Sequence, residues 1–111
     1  MPRGSKPDGD EQVFEMQARI CKAFANSTRL RMLDLLAKRE YTVSDLQAAL
    51  GITLPNVSQH LSILKGAGVV LTRREGKQVY CSLTLPEVKE ACQFIRNVLR
   101  AQLRKGRKLV V

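Results

Sequence analysis

The sequence predicts a mainly α domain carrying one small β-hairpin, and three observations predict it. Apolar residues recur at three- and four-residue spacing through several stretches before Gly68, and again after Pro86, as the buried faces of helices do. Between them the spacing changes to alternation: Val69 to Thr72 and Gln78 to Leu83 flank the basic turn Arg73-Arg74-Glu75-Gly76-Lys77. Capping and breaking residues (Asn26, Thr42, Gly51, Pro55, Gly68 and Pro86) fall at the boundaries that these patterns imply.

In chain order, residues 1–10 are polar and rich in Gly and Pro; they read as a flexible tail and lack the apolar core of a signal peptide. The folded domain is expected over residues 11–104, with a basic tail at 105–111. Its first helix has Val13, Met16, Ile20 and Phe24 on one stripe, with Cys21 beside them. Asn26 then has the short acceptor side chain of an N-cap. The next segment, Leu30 to Ala37, is apolar over too broad an arc for a surface helix and should be central. Thr42, with Asp45 three residues on, opens a third helix whose inner face is Leu46, Ala49 and Leu50, and Gly51 ends it. Pro55 suits the first turn of a fourth helix, where amides lack intrahelical partners. That helix runs to about Ala67 with Val57, Leu61 and Leu64 inward, and Gly68 stops it. In the hairpin Val79, Cys81 and Leu83 should face inward, and Gln78, Tyr80 and Ser82 outward. Pro86 opens a last helix striped by Val88, Ala91, Cys92, Ile95, Val98 and Leu99.

At 111 residues this is one domain, and with 44% hydrophobic and 26% charged residues it has a globular balance. So small a domain buries a modest core, which a subunit interface would supplement. Its 19 Lys and Arg against 10 Asp and Glu give a net charge of +9, which favours a polyanionic partner, most simply nucleic acid. The same charge also fits a membrane-surface or ribosome-associated protein. No apolar stretch is long enough to cross a bilayer. Three cysteines, an odd number without an export signal, place the chain in a reducing cytoplasm with no disulfide framework.

Thr42 to Ala67 fits two short helices joined by a Gly-containing turn, the helix-turn-helix. Pro55, Asn56, Ser58, Gln59, Ser62 and Lys65 stand between the inward residues of its second helix, where polar donors, acceptors and a cation suit base edges and phosphates of a major groove. A polar face on an ordinary helix would look the same. The hairpin separates the two readings: Arg73, Arg74 and Lys77 on a protruding tip just after a helix-turn-helix make a winged helix-turn-helix, with phosphates or the minor groove in reach.

Three runs carry a resemblance: "FANSTRLRMLDLL", "TVSDLQAALGITLPNVSQHLSILKGAGVV" and "TRREGKQVYCSL". In order and spacing, from Cys21 to Leu83, they resemble the ArsR/SmtB family of small metal- and stress-sensing repressors. The resemblance implies a homodimer joined through its first and last helices, which represses an operon until an inducer binds. The run Asn56 to Leu61 matches the family's recognition-helix motif, so Ser58, Gln59 and His60 inherit its DNA-contacting role. His60 also admits a helix-packing role. A symmetric dimer would present two such helices about 34–36 Å apart to an inverted repeat of double-stranded operator DNA.

The chain departs from the metal-sensing members. Val43-Ser44-Asp45-Leu46-Gln47 stands where the arsenic- and cadmium-type site has its Cys-x-Cys pair, and the last helix lacks the Asp and His of the zinc-type site. A single histidine and cysteines scattered over separate elements do not supply the tetrahedral set that zinc wants, so no metal site is expected. Cys21 and Cys92 fall on the two helices that the family packs together. They read either as buried core thiols or as a sensor of reactive sulfur, oxidant or As(III), a soft metalloid held at thiolates. Cys81 reads as core. The basic run Arg96, Arg100, Arg104, Lys105, Arg107 and Lys108 is a solvated face that could add nonspecific DNA affinity. No nucleophile–base set, carboxylate pair or phosphate loop marks an enzyme. The alternatives to an inducible repressor are a repressor without cysteine sensing and a winged helix that binds protein or RNA.

Overall fold

Every helix after the first starts on a side chain that satisfies an unpaired first-turn amide, or on proline, which has none. The computed structural model, which describes residues 9–106, sets out eight elements. These are α1 (Gly9–Phe24), α2 (Ser27–Lys38), β1 (Tyr41–Thr42), α3 (Val43–Leu50), α4 (Leu54–Gly66), β2 (Val70–Glu75), β3 (Gln78–Leu83) and α5 (Pro86–Arg104). Asn26 Oδ1 accepts from the Arg29 amide at 3.0 Å, and Thr42 Oγ1 from the Asp45 amide at 3.0 Å. Thr53 Oγ1 does the same for Asn56 at 3.4 Å. Gly51 closes α3 in the left-handed region at φ 66°, which lets its amide reach the Gln47 carbonyl at 2.9 Å. Helix α1 begins at Gly9, ahead of the boundary expected at residue 11. The remainder of the expected N-terminal tail, and residues 107–111 of the C-terminal one, lie outside the described residues.

The core gathers around α2, whose Met32, Leu33 and Leu36 are buried. Ala23 and Phe24 of α1, Leu46 and Leu50 of α3, Val57, Leu61 and Leu64 of α4, Val69, Val70, Cys81 and Val88 complete it, and no buried polar side chain lacks a partner among the described residues. Full burial of each such aliphatic side chain is worth about 1.5–3 kcal/mol. The central place expected of α2 is therefore what the structure has.

The sheet is antiparallel in the order β1-β3-β2. The β2–β3 register pairs Glu75 with Gln78 across the two-residue turn Gly76-Lys77. Only Gly76 takes positive φ there, at 61°, as the first position of a type II′ hairpin requires. Cys81 is buried as expected, with Val79 and Leu83 half-buried. Tyr80, expected to face out, is also half-buried because an arginine covers its ring. Strand β1 had no sequence forecast. It pairs Tyr41 with Cys81 and Thr42 with Tyr80, which ties the start of the helix-turn-helix to the hairpin.

The stripes read on α1 and α5 are present, but a single chain does not cover them. On α1 only Ala23 and Phe24 are buried, and Phe14 is 67% exposed; on α5 only Val88 is buried, and Phe94 is 69% exposed. Val13, Met16, Ile95, Val98 and Leu103 are exposed with them.

Candidate nucleic-acid interface

Helix α4 offers one face to the core and one to solvent. Val57, Leu61 and Leu64 point inward, while Pro55, Asn56, Ser58, Gln59, Ser62 and Lys65 are all exposed. None of its thirteen residues is acidic, so no carboxylate on the helix opposes an approaching phosphate. Leu54 and Ile63 are exposed as well, apolar positions that the polar pattern passed over and that suit a thymine methyl.

His60, by contrast, is half-buried, and its Nδ1 lies 3.4 Å from the Arg29 guanidinium. Arg29 also donates from Nε to the Ala23 carbonyl at 2.7 Å and from Nη2 to the Lys22 carbonyl at 3.1 Å. One side chain thus closes the C-terminal end of α1 and braces α4 from behind. Sequence reading missed Arg29; its only signal was a cation just inside a helix start, where macrodipole arguments would put an acid.

The three cations of the hairpin tip differ in their surroundings. Arg73 Nη2 donates to Glu40 Oε1 at 2.8 Å, its Nη1 pairs with Glu75, and its guanidinium lies 4.5 Å from the Tyr80 ring centroid. Arg74 and Lys77 are exposed and make no ion pair among the described residues. A guanidinium held by two carboxylates and a ring anchors the hairpin; two free cations can meet phosphates.

The three cysteines are free. Cys81 is fully buried, and burial pushes its thiol up to about 11. Cys92, half-buried, is also raised above its ordinary value, chiefly by burial, with Arg96 pulling it down and Asp34 adding to the rise. Cys21 is exposed on α1. Among the described residues no three His, Cys, Asp or Glu side chains converge on a possible metal position.

Residues 26–72, from the cap of α2 into β2, match the bacterial regulatory protein arsR family. The uncharacterized HTH-type transcriptional regulator Rv0081 of Mycobacterium tuberculosis is 34% identical over 90 residues, which covers 80% of this chain and 79% of that one. The chain belongs to the ArsR family. The crystal structure of Rv0081 superposes with a TM-score of 0.79 at 33% identity, over 86% of this chain and 96% of the other. The transcriptional repressor SdpR of Bacillus subtilis is 32% identical over 80 residues, 72% of this chain and 89% of SdpR. The solution structure of a homodimeric winged helix-turn-helix DNA-binding domain, Mb0332 from Mycobacterium bovis, superposes with a TM-score of 0.79 at 29% identity, covering 98% of this chain and all of that one. As an ArsR-family protein the chain is a DNA-binding transcriptional regulator with a winged helix-turn-helix fold, and not an enzyme. None of its described helices is long and apolar enough to cross a membrane.

Proposed function

We propose that the chain is a cytoplasmic, homodimeric repressor that reads an inverted repeat in double-stranded operator DNA through α4 and grips the flanking phosphates with its wing. The observation that carries this reading is the solvent face of α4, a row of polar side chains free of acids beside a hairpin with two unpaired cations. Asn56, Ser58 and Gln59, near the helix start, read base edges; Ser62 and Lys65 meet the backbone; Pro55 sets the entry turn. His60 acts from behind, through Arg29. Arg74 and Lys77 bind phosphate, and Arg73 holds the wing in shape.

The uncovered faces of α1 and α5 support the dimer. Stripes of exposed large apolar side chains on two helices suit an interface, and a second copy offers the matching stripes by two-fold symmetry. Fluorescence anisotropy on the DNA upstream of its own gene, against a scrambled duplex, tests the reading. Gln59→Ala and Asn56→Ala should each cut the preference for the true sequence by about 1–3 kcal/mol. Sequence-blind binding by the unaltered protein would move the reading to a protein- or RNA-contact module.

Release by a thiol-reactive inducer at Cys21 and Cys92 is the finer form of the proposal. Its support is placement: both cysteines lie on the helices with uncovered faces, so a modification there would bear on how two copies pack. The raised Cys92 thiol counts against it, since the thiolate is the nucleophile, and leaves exposed Cys21 as the more reachable partner. Persulfide, oxidant and arsenite should each be tried on the DNA complex. Loss of binding that Cys21→Ser or Cys92→Ser abolishes supports the sensor, and indifference to all three supports a repressor without one.

A further inference from the structure

The seam between α2 and α5 holds a cleft that DNA binding does not use. Asp34 of α2 and Arg96 of α5, 3.5 Å apart, line both a cavity of about 430 Å³ and a neighbouring one of about 200 Å³. The floor of the larger cavity is Leu33, Ala37 and Cys92; around it stand Lys38, Lys89 and Arg96. These three cations share a single carboxylate. Asp34 lies 3.7 Å from Lys38 as well as 3.5 Å from Arg96, and Lys89 makes no ion pair among the described residues. The cleft therefore carries surplus positive charge over an apolar base, within the size range of small-molecule sites.

The position of the cleft fits a ligand site. Val98, on the uncovered apolar face of α5, follows Lys89 by nine residues, about two and a half helical turns, and so lies on the opposite flank. A second copy seated on Phe94 and Val98 leaves Lys89 open, with Cys92 at the border between the cleft and the apolar stripe. A concave site with an apolar base is also ill suited to a duplex backbone, which presents charge without an apolar body.

We propose that this cleft binds a small amphiphilic carboxylate, its carboxylate on Lys89 and Arg96 and its apolar body over Leu33, Ala37 and Cys92. An incoming carboxylate takes the place of Asp34 on Arg96, where two parallel N–H donors match its oxygens, and Asp34 stays with Lys38. The site is independent of the DNA reading and of whether Cys92 senses anything.

Cys92 itself reports occupancy. The full chain is treated with N-ethylmaleimide in the presence of benzoate, of the neutral benzamide or of chloride, and the alkylation of each cysteine is followed by peptide mass spectrometry. Benzoate should slow Cys92 and leave exposed Cys21 unchanged, and neither benzamide nor chloride should do so. Lys89→Gln and Arg96→Gln should each raise the half-protecting benzoate concentration about tenfold, the equivalent of one charged hydrogen bond. If Cys92 alkylates too slowly to follow, the amide chemical shifts of Ala37 and Gln93 read the same titration. No response to benzoate, an equal response to benzamide or chloride, or a response that survives both substitutions overturns the site.

Discussion

The wing makes a prediction that separates one arginine from its neighbour. Binding to duplex DNA releases counterions, and the slope of log K against log salt falls by about 0.9 for each phosphate contact. Among the described residues Arg74 and Lys77 have no ion-pair partner, whereas Arg73 is engaged by Glu40, Glu75 and the Tyr80 ring. Removing Arg74 and Lys77 together takes four contacts from a dimer, so the slope should become shallower by about 3 to 4. Removing Arg73 should leave the slope almost unchanged and lower affinity at every salt concentration, because the hairpin loses its anchor. Glu40→Gln frees one side of the same arginine; as Arg73 then gains a route to phosphate, the slope should steepen by up to about 2 for the dimer. The assay is anisotropy on one duplex from about 50 to 200 mM salt, the range over which phosphate contacts dominate affinity. If Arg73→Ala flattens the slope as much as Arg74→Ala does, the anchoring role is wrong and all three cations are phosphate ligands.

Other residues give sharper stability tests. Arg29→Ala removes two hydrogen bonds from a guanidinium to the end of α1 and the brace on His60; about 1–3 kcal/mol should be lost in chemical denaturation, and Arg29→Lys should restore only part. An unchanged midpoint would mean that solvent replaces those bonds without cost. Phe94→Glu or Phe14→Glu should shift the protein towards monomer in light scattering at micromolar concentration, with the α4 face intact; a dimer undisturbed by both would place the interface elsewhere. Cys81 has its thiol raised on folding from 9.0 to about 11, so its contribution is complete below pH 9 and fades as pH climbs through 11. Unaltered protein should therefore lose about 2–3 kcal/mol more than Cys81→Ala across that window, and parallel curves for the two would contradict the burial of the thiol.

The local code of this chain was legible because it is local. Asn26, Thr42 and Gly51 cap or stop helices by bonds that span three or four residues, and each does so where the sequence places it. The wing was legible from its alternation and its Gly-containing turn, and the solvent face of α4 from its 3.6-residue spacing. What escaped depends on distant partners. Strand β1 is two residues long and has no period to read; it exists because β3 offers it an edge. Arg73 looked like Arg74, since nothing within the hairpin announces that Glu40, 33 residues earlier, lies 2.8 Å away. His60 admits a DNA contact or a packing role from sequence alone, and its neighbour Arg29, 31 residues earlier, has no local signal. The stripes on α1 and α5 were seen, but periodicity cannot say whether the same chain or another covers them.

Thr42 occupies two structures at once. Its backbone pairs with Tyr80 in the sheet, and its hydroxyl receives the Asp45 amide that starts α3. Wing and helix-turn-helix therefore meet at a short joint, Tyr41 and Thr42 against β3, with Val69 bonded to both α4 and the strand end. On the proposed reading the protein grips a duplex like a caliper, with the base of the wing fixed relative to the helix-turn-helix before DNA arrives. On that same reading, sequences whose minor groove lies at the matching width should be favoured at positions that no side chain touches.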